Sequence, residues 1–301
     1  MKIFVTGSTG YVGLNVACAL RRAGHDVWGL ARTAAKARLL GAHEIHPILG
    51  TLQQPETFRG AAEICSVIIH AAADYTQDML ALDARAVEAL LSAAKSGAQP
   101  KCFIYTSGVW VYGGTAGRMV DETTAPNPAK MVSRRPAIEQ MVLSAPGVRG
   151  LVIRPGCVYG KQGGLTGVWF AGAVKENAVR VIGDGTNHWA MVHVDDLSDA
   201  YLRAAESSLQ GEVFNITDRS RCTVTEMAYS AARVAGYTGR IEHVHLSEAA
   251  KTMGDFAECL ALDQHVDSRK AVRLLGWQPR HGGFVDGVAS YYISWKTSQE
   301  A

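Results

Sequence analysis

Between an apolar run, "KIFVT", and an amphipathic one, "YVGLNVACALRR", stand Gly7, Gly10 and Gly13 in the spacing G-x-x-G-x-x-G. A strand that turns directly into a helix has a separate use for each. Gly7 lets the chain turn tightly, Gly10 lets backbone approach a pyrophosphate, and Gly13 lets the helix lie close on the strand. The helix behind them supplies unpaired N–H groups and the positive end of its dipole. The motif predicts a dinucleotide-binding βαβ unit, with Thr6, Gly7, Thr9, Gly10, Tyr11, Val12 and Gly13 around the phosphates.

The pattern downstream is consistent with that start. "HDVWGLAR", "EIHPIL", "CSVIIHAAA", "KCFIYTSG" and "RGLVIRPG" read as strands, nearly apolar throughout, as strands covered on both faces are. Amphipathic stretches at 11–23 and 79–96 alternate with them, which predicts right-handed crossovers and a doubly wound parallel sheet of Rossmann type. After about residue 160 the rhythm changes to glycine turns, short strands ("EVFNIT", "RIEHVHL") and helices, with Asp195 or Asp196 as a candidate helix cap. We expect a dinucleotide-binding domain over 1–160, whose core elements can recur later in the chain, and a smaller substrate-binding region over 161–301.

The cofactor is chosen at the end of the second strand. A carboxylate there would accept the ribose 2′-hydroxyl of NAD, whereas "GLARTAAK" places Arg32 there and Lys36 one helical turn on. A guanidinium suits a 2′-phosphate, so NADP(H) is preferred and NAD(H) is the alternative. Ala71, Ala72, Thr106, Pro155 and Gly156, at the ends of later strands, are further candidate cofactor contacts.

Composition narrows the partners. A net charge of +2 without a run of Lys and Arg argues against nucleic acid. The six cysteines are scattered without a CxxC pair, so free thiols are expected and no metal site is indicated. The strand pattern starts at Met1–Thr6 and no apolar run reaches membrane-span length, which gives the expectation of a cytoplasmic chain with no membrane partner.

Taken together, "VTGSTGYVG", "VIIHAAA", "YTSGVWVYG", "VIRPGCVYG", "IGDGTNHWAMVHVDDLSDAY" and "SRKAVRLLGWQPR" resemble the extended short-chain dehydrogenase/reductases, the NAD-dependent epimerase/dehydratase group. The resemblance spans nearly the whole chain. It implies hydride transfer at nicotinamide, assisted by a Ser or Thr, a Tyr and, four residues on, a Lys. Here those positions carry Gly108, Met131 and Arg135 in "SGVWVYG" and "KMVSRRPAIEQ". Pro136 argues for a helix starting near Ser133, which leaves Met131 in a loop. It further implies a homodimer through 79–96 and 134–143.

Methionine exchanges no proton, and arginine, always charged, is a poor acid that can still hold ribose or an oxyanion. Candidate replacements are Tyr75, Ser107, Arg135 and His188, with Lys130 as a second cation near the ribose. Tyr112 and Tyr159 are read as packing residues. Trp189 and Cys157 stand where sugar-nucleotide members carry Arg and Asn, which argues against such a substrate. "RPGCVYG" resembles instead the dihydroflavonol-reductase and hydroxysteroid-dehydrogenase side of the group. Trp169, Phe170, Trp189 and Met191 are candidates to line an apolar pocket. The leading reading is an NADP(H)-dependent oxidoreductase acting on a small or apolar carbonyl/alcohol, with a non-standard proton donor. The alternatives are a catalytically silent dinucleotide-binding or regulatory protein and a non-redox isomerase, epimerase or lyase.

Overall fold

The computed structural model describes residues 1–74, 79–97 and 99–300. Its first five strands, β1 (Lys2–Thr6), β2 (Asp26–Ala31), β3 (His46–Leu49), β4 (Val67–His70) and β5 (Lys101–Thr106), fall where the apolar runs predict them. With the strands Val148–Pro155 and Glu212–Ile216 they form one parallel sheet. From one edge the order is 212–216, 148–155, β5, β4, β1, β2, β3. β3 closes the other edge with Pro47, a residue without an N–H that suits an unpaired border.

Alternation along each strand sorts the two faces. Ile3, Val5, Val67, Ile69, Ile104 and Ile153 point into a core shared with α1 (Tyr11–Arg22) and the helix Val194–Glu206. Phe4, Ile68, Phe103 and Val152 point the other way, into a core shared with α3 (Arg59–Glu63), α4 (Met79–Ala94) and α5 (Arg135–Leu143). Both faces are therefore covered, which is why these strands read as apolar throughout. The helix α2 (Ala34–Ala42) follows β2 and is capped by the Thr33 hydroxyl.

Residues beyond 160 also contribute to the main sheet. Glu212–Ile216 completes the main sheet, and Trp277 is fully buried against it, its indole N–H donating to the Asp196 carbonyl. The remaining residues build a second core around Trp169, Phe170, Met227, Phe284 and Trp295, with the parallel pair Val179–Ile182 and Ile241–Val244. No described helix is long and apolar enough to cross a membrane. All six cysteines are free; Cys65, Cys157 and Cys259 are each pushed up to about 12, chiefly by burial.

The helix Val194–Glu206 is not capped by Asp195 or Asp196. The His193 ring nitrogen accepts the Asp195 N–H, Asp195 pairs with Lys161, and buried Asp196 accepts the N–H groups of Arg280 and His281. Sequence reasoning chose the commoner capping residue and missed the imidazole beside it. His193 stacks on His281 at 3.5 Å and meets the rings of Tyr159 and Tyr291 edge-on or tilted. Burial, then the neighbouring His281, lowers its pKa to about 4, against the pull of Asp195 and Asp196 and with the help of Lys161. The unfolded chain's histidine titrates near about 6.5. Stability from keeping this ring neutral is therefore whole above that value and is lost as pH falls toward about 4. Urea midpoints at about pH 7.5 and about pH 4.5 are expected to differ less in His193→Asn, which keeps the cap acceptor and removes the titrating ring.

Candidate active site

The glycine loop is built as its spacing demands. Gly7 has φ +72°, and a Cβ there would stand 2.5 Å from the Ala71 carbonyl oxygen at the end of β4. A Cβ on Gly13 would overlap the Gly7 carbonyl oxygen. Gly10 caps α1 without a side-chain acceptor, and the first turn carries no acidic residue. The helix thus presents bare N–H groups and a positive dipole end to an anion. Those features fit a dinucleotide pyrophosphate. Thr9 lies in the same loop. Tyr11 donates to the Gly160 carbonyl, burial raises its pKa, and Val12 packs on the first core.

At the end of β2 the Arg32 side chain is exposed, 3.8 Å from Asp74, and Lys36 is exposed in the first turn of α2. Beside them a narrow cleft of about 10 Å³ lies at the carboxyl ends of β4 and β5, the end at which open parallel sheets bind ligands. Ala72, Asp74, Leu82, Asp83, Thr106 and Arg135 line it. Helix α5 begins at Arg135 with Pro136 in its first turn, and Met131 sits in a preceding 3-10 turn, as the proline predicts.

Arg135 donates from Nη1 to the Ser107 carbonyl at 2.8 Å. A Cβ on Gly108 would come within 2.9 Å of that same nitrogen. The glycine therefore gives the guanidinium room that a serine or threonine would take. The Ser107 hydroxyl is buried and has no hydrogen-bond partner among the described residues. A buried hydroxyl left unpaired costs on the order of 1–3 kcal/mol. Thr106 is already paired, to Tyr201, at 2.6 Å.

Behind Arg135 runs a largely buried polar chain. Thr6 bonds His70 (2.7 Å), His70 bonds Asp83 (2.9 Å), and Tyr105 donates to the other Asp83 oxygen (2.6 Å). Burial pushes the Asp83 carboxyl upward, but bonds from His70 and Tyr105 and the charges of His70 and Arg135 more than offset it. They hold the group below the usual carboxylate range. Asp83 is thus a fixed anion beside a fixed cation. Only position 6 of this chain carried a sequence signal; the pairing of 70, 83 and 105 depends on three separate elements.

Other candidates lie elsewhere. Tyr75 lies outside the described residues. Met131 packs beside Ala129, Val132 and Cys259. Lys130 pairs with Asp255 at 3.0 Å. His188 is bound to Asp263 and does not line the cleft of Arg135. Gly156 packs against the Ala190 backbone, while Pro155 ends its strand with its carbonyl facing Gly108. Trp169 and Trp189 stack at 5.2 Å with both indole N–H groups donated to carbonyls, and Met191 is fully buried. These three residues are buried together in the second core. Tyr112 bonds Arg154 and Asn215, and Tyr159 bonds Asp218.

The family model described as "NAD dependent epimerase/dehydratase family" matches residues 3–217. A 4-hydroxy-2-methyl-3-oxo-4-farnesyl-3,4-dihydroquinoline-1-oxide ketoreductase of Stigmatella aurantiaca is 29% identical over 269 residues, covering 79% of this chain and 80% of that protein. A UDP-glucose 4-epimerase from Thermotoga maritima, solved with UDP-glucose, superposes with TM-score 0.83 at 22% identity, covering 99% of this chain and 100% of that one. The human epimerase family protein SDR39U1, solved with NADPH, gives TM-score 0.81 at 19% identity, covering 97% and 99%. At such identities the two structures are alike in fold.

Proposed function

This chain belongs to the NAD-dependent epimerase/dehydratase family, and from that premise we propose that it is an NADP(H)-dependent oxidoreductase of a small or apolar carbonyl/alcohol pair. One observation carries the reading: Arg135, at the carboxyl ends of β4 and β5, donates to the backbone carbonyl of Ser107, whose buried hydroxyl has no hydrogen-bond partner among the described residues. The nicotinamide, when bound, supplies or accepts hydride. Ser107 then hydrogen-bonds the substrate oxygen in place of the side chain that Gly108 lacks. Arg135 stabilises the oxygen's negative charge and holds the cofactor ribose, while Asp83 fixes the guanidinium electrostatically. Solvent supplies the proton that Met131 cannot. Exposed Arg32 and Lys36 support the preference for a 2′-phosphate.

The test is direct. NADPH is expected to bind more tightly than NADH, and a panel of aldehydes and ketones to include one that consumes it. Ser107→Ala is expected to lower kcat/KM by about 100-fold. Its thermal midpoint should stay level or rise, since the change deletes an unpaired buried hydroxyl. A lost midpoint with unaltered turnover would mean that Ser107 is structural. Tight NADPH binding with no turnover on any carbonyl would favour a dinucleotide-binding protein, a reading that the packing of Met131 against Ala129, Val132 and Cys259 supports. Product without net change in cofactor absorbance would favour an isomerase or epimerase.

A further inference from the structure

We propose that His188, Asp263 and His265 form a divalent-metal site, suited to zinc, outside the cofactor cleft. The Asp263 Oδ1 lies 3.0 Å from His188 Nδ1 and 3.5 Å from His265 Nε2, and the candidate ligand atoms all fall within 4.8 Å of one another. A tetrahedral zinc with bonds of about 2.0–2.1 Å holds its ligand atoms about 3.3 Å apart, so the trio needs little movement to close on an ion. Two imidazoles and one carboxylate leave a fourth position for water. Side chains between one-fifth and about one-third exposed give the ion a way in.

The backbone under the trio is fixed. His188 bridges Thr223, and its carbonyl accepts the Gln264 N–H. The Thr115 N–H holds the Asp263 carbonyl, and the Thr115 hydroxyl accepts the His265 N–H. Gln264, between the two 263–265 ligands, donates to the Val109 and Gly113 carbonyls, so an ion would tie this segment to the turn that follows Gly108.

A second trio, His193, Asp195 and His281, is an internal contrast. There the Lys161 ammonium already occupies Asp195, and the His193 Nδ1 accepts a backbone N–H. A second cation would have to displace the first.

The experiment is calorimetric titration of the tag-free, chelator-treated full chain with Zn²⁺ at about pH 7.5. We expect one saturable equivalent and a raised thermal midpoint reversed by chelator. His188→Gln and His265→Gln should each weaken binding by about tenfold or more, and His281→Gln should leave it unchanged. Circular dichroism of each variant shows that it is folded. Absence of saturable binding, or equal binding by the folded His188→Gln/His265→Gln double variant, overturns the proposal. Loss in His281→Gln alone would overturn it too, by moving the ion to the other trio.

Discussion

Gly13→Ala is expected to abolish cofactor binding and to weaken the fold at the same time. The added methyl would overlap the Gly7 carbonyl oxygen and crowd the Ser8 nitrogen, both backbone atoms that no rotamer change can clear. Helix α1 must then lift off β1, carrying away the N–H groups aimed at the pyrophosphate. Overpacking of this kind costs about 1–3 kcal/mol of stability. The shift of the helix end should weaken NADPH by at least about 100-fold, or about 2.7 kcal/mol. Gly10→Ala separates the two effects. Its methyl meets only the Gly7 carbonyl oxygen, at 3.3 Å, and the residue is exposed at the helix entrance. Its urea midpoint should stay near wild type while NADPH binding weakens. Equal NADPH binding by wild type and Gly10→Ala would show that the loop does not hold the phosphates.

Arg154→Met is expected to have the largest effect on stability alone. Arg154 and Glu139 are both almost completely buried, and the guanidinium meets the carboxylate through two nitrogens, one bond being 2.9 Å. Its third nitrogen donates to the Tyr112 hydroxyl, which donates in turn to Asn215. Burial lowers the Arg154 pKa, but the bonds and charge of Glu139 more than offset that and raise it above its ordinary value. Removing the cation strands a carboxylate in the interior, at a cost of about 3–5 kcal/mol. The double variant Glu139→Leu/Arg154→Met removes both charges and should recover most of the loss. A double-mutant cycle on urea midpoints measures it; additive losses would show that the two side chains do not act as a pair.

This network marks where sequence reading stops. The strands β1 to β5, the glycine loop and the start of α5 were legible because each depends on neighbours in the chain: an apolar run, a spacing, a proline. The strand Glu212–Ile216 was legible as a strand but not as a member of the main sheet, because its partner Val148–Pro155 lies far back in sequence. The same distance hid Asp263 from His188 and Asp83 from His70 and Tyr105. Trp169, Trp189 and Met191 carried an ambiguous signal, since an aromatic that lines a pocket and one that fills a core look alike in one dimension. Ser107 was legible as a candidate. That its hydroxyl is buried and unpaired follows only from three dimensions.

The most direct test of the account compares carbonyl-dependent NADPH oxidation by the wild type, Met131→Ala and Arg135→Ala. If Arg135 holds the reacting charge and Met131 only packs, Met131→Ala should retain turnover within about threefold, while Arg135→Ala loses about 100-fold or more in kcat/KM. Turnover that survives Arg135→Ala but disappears in Met131→Ala would contradict the account, and so would a chain that binds neither NADPH nor NADH.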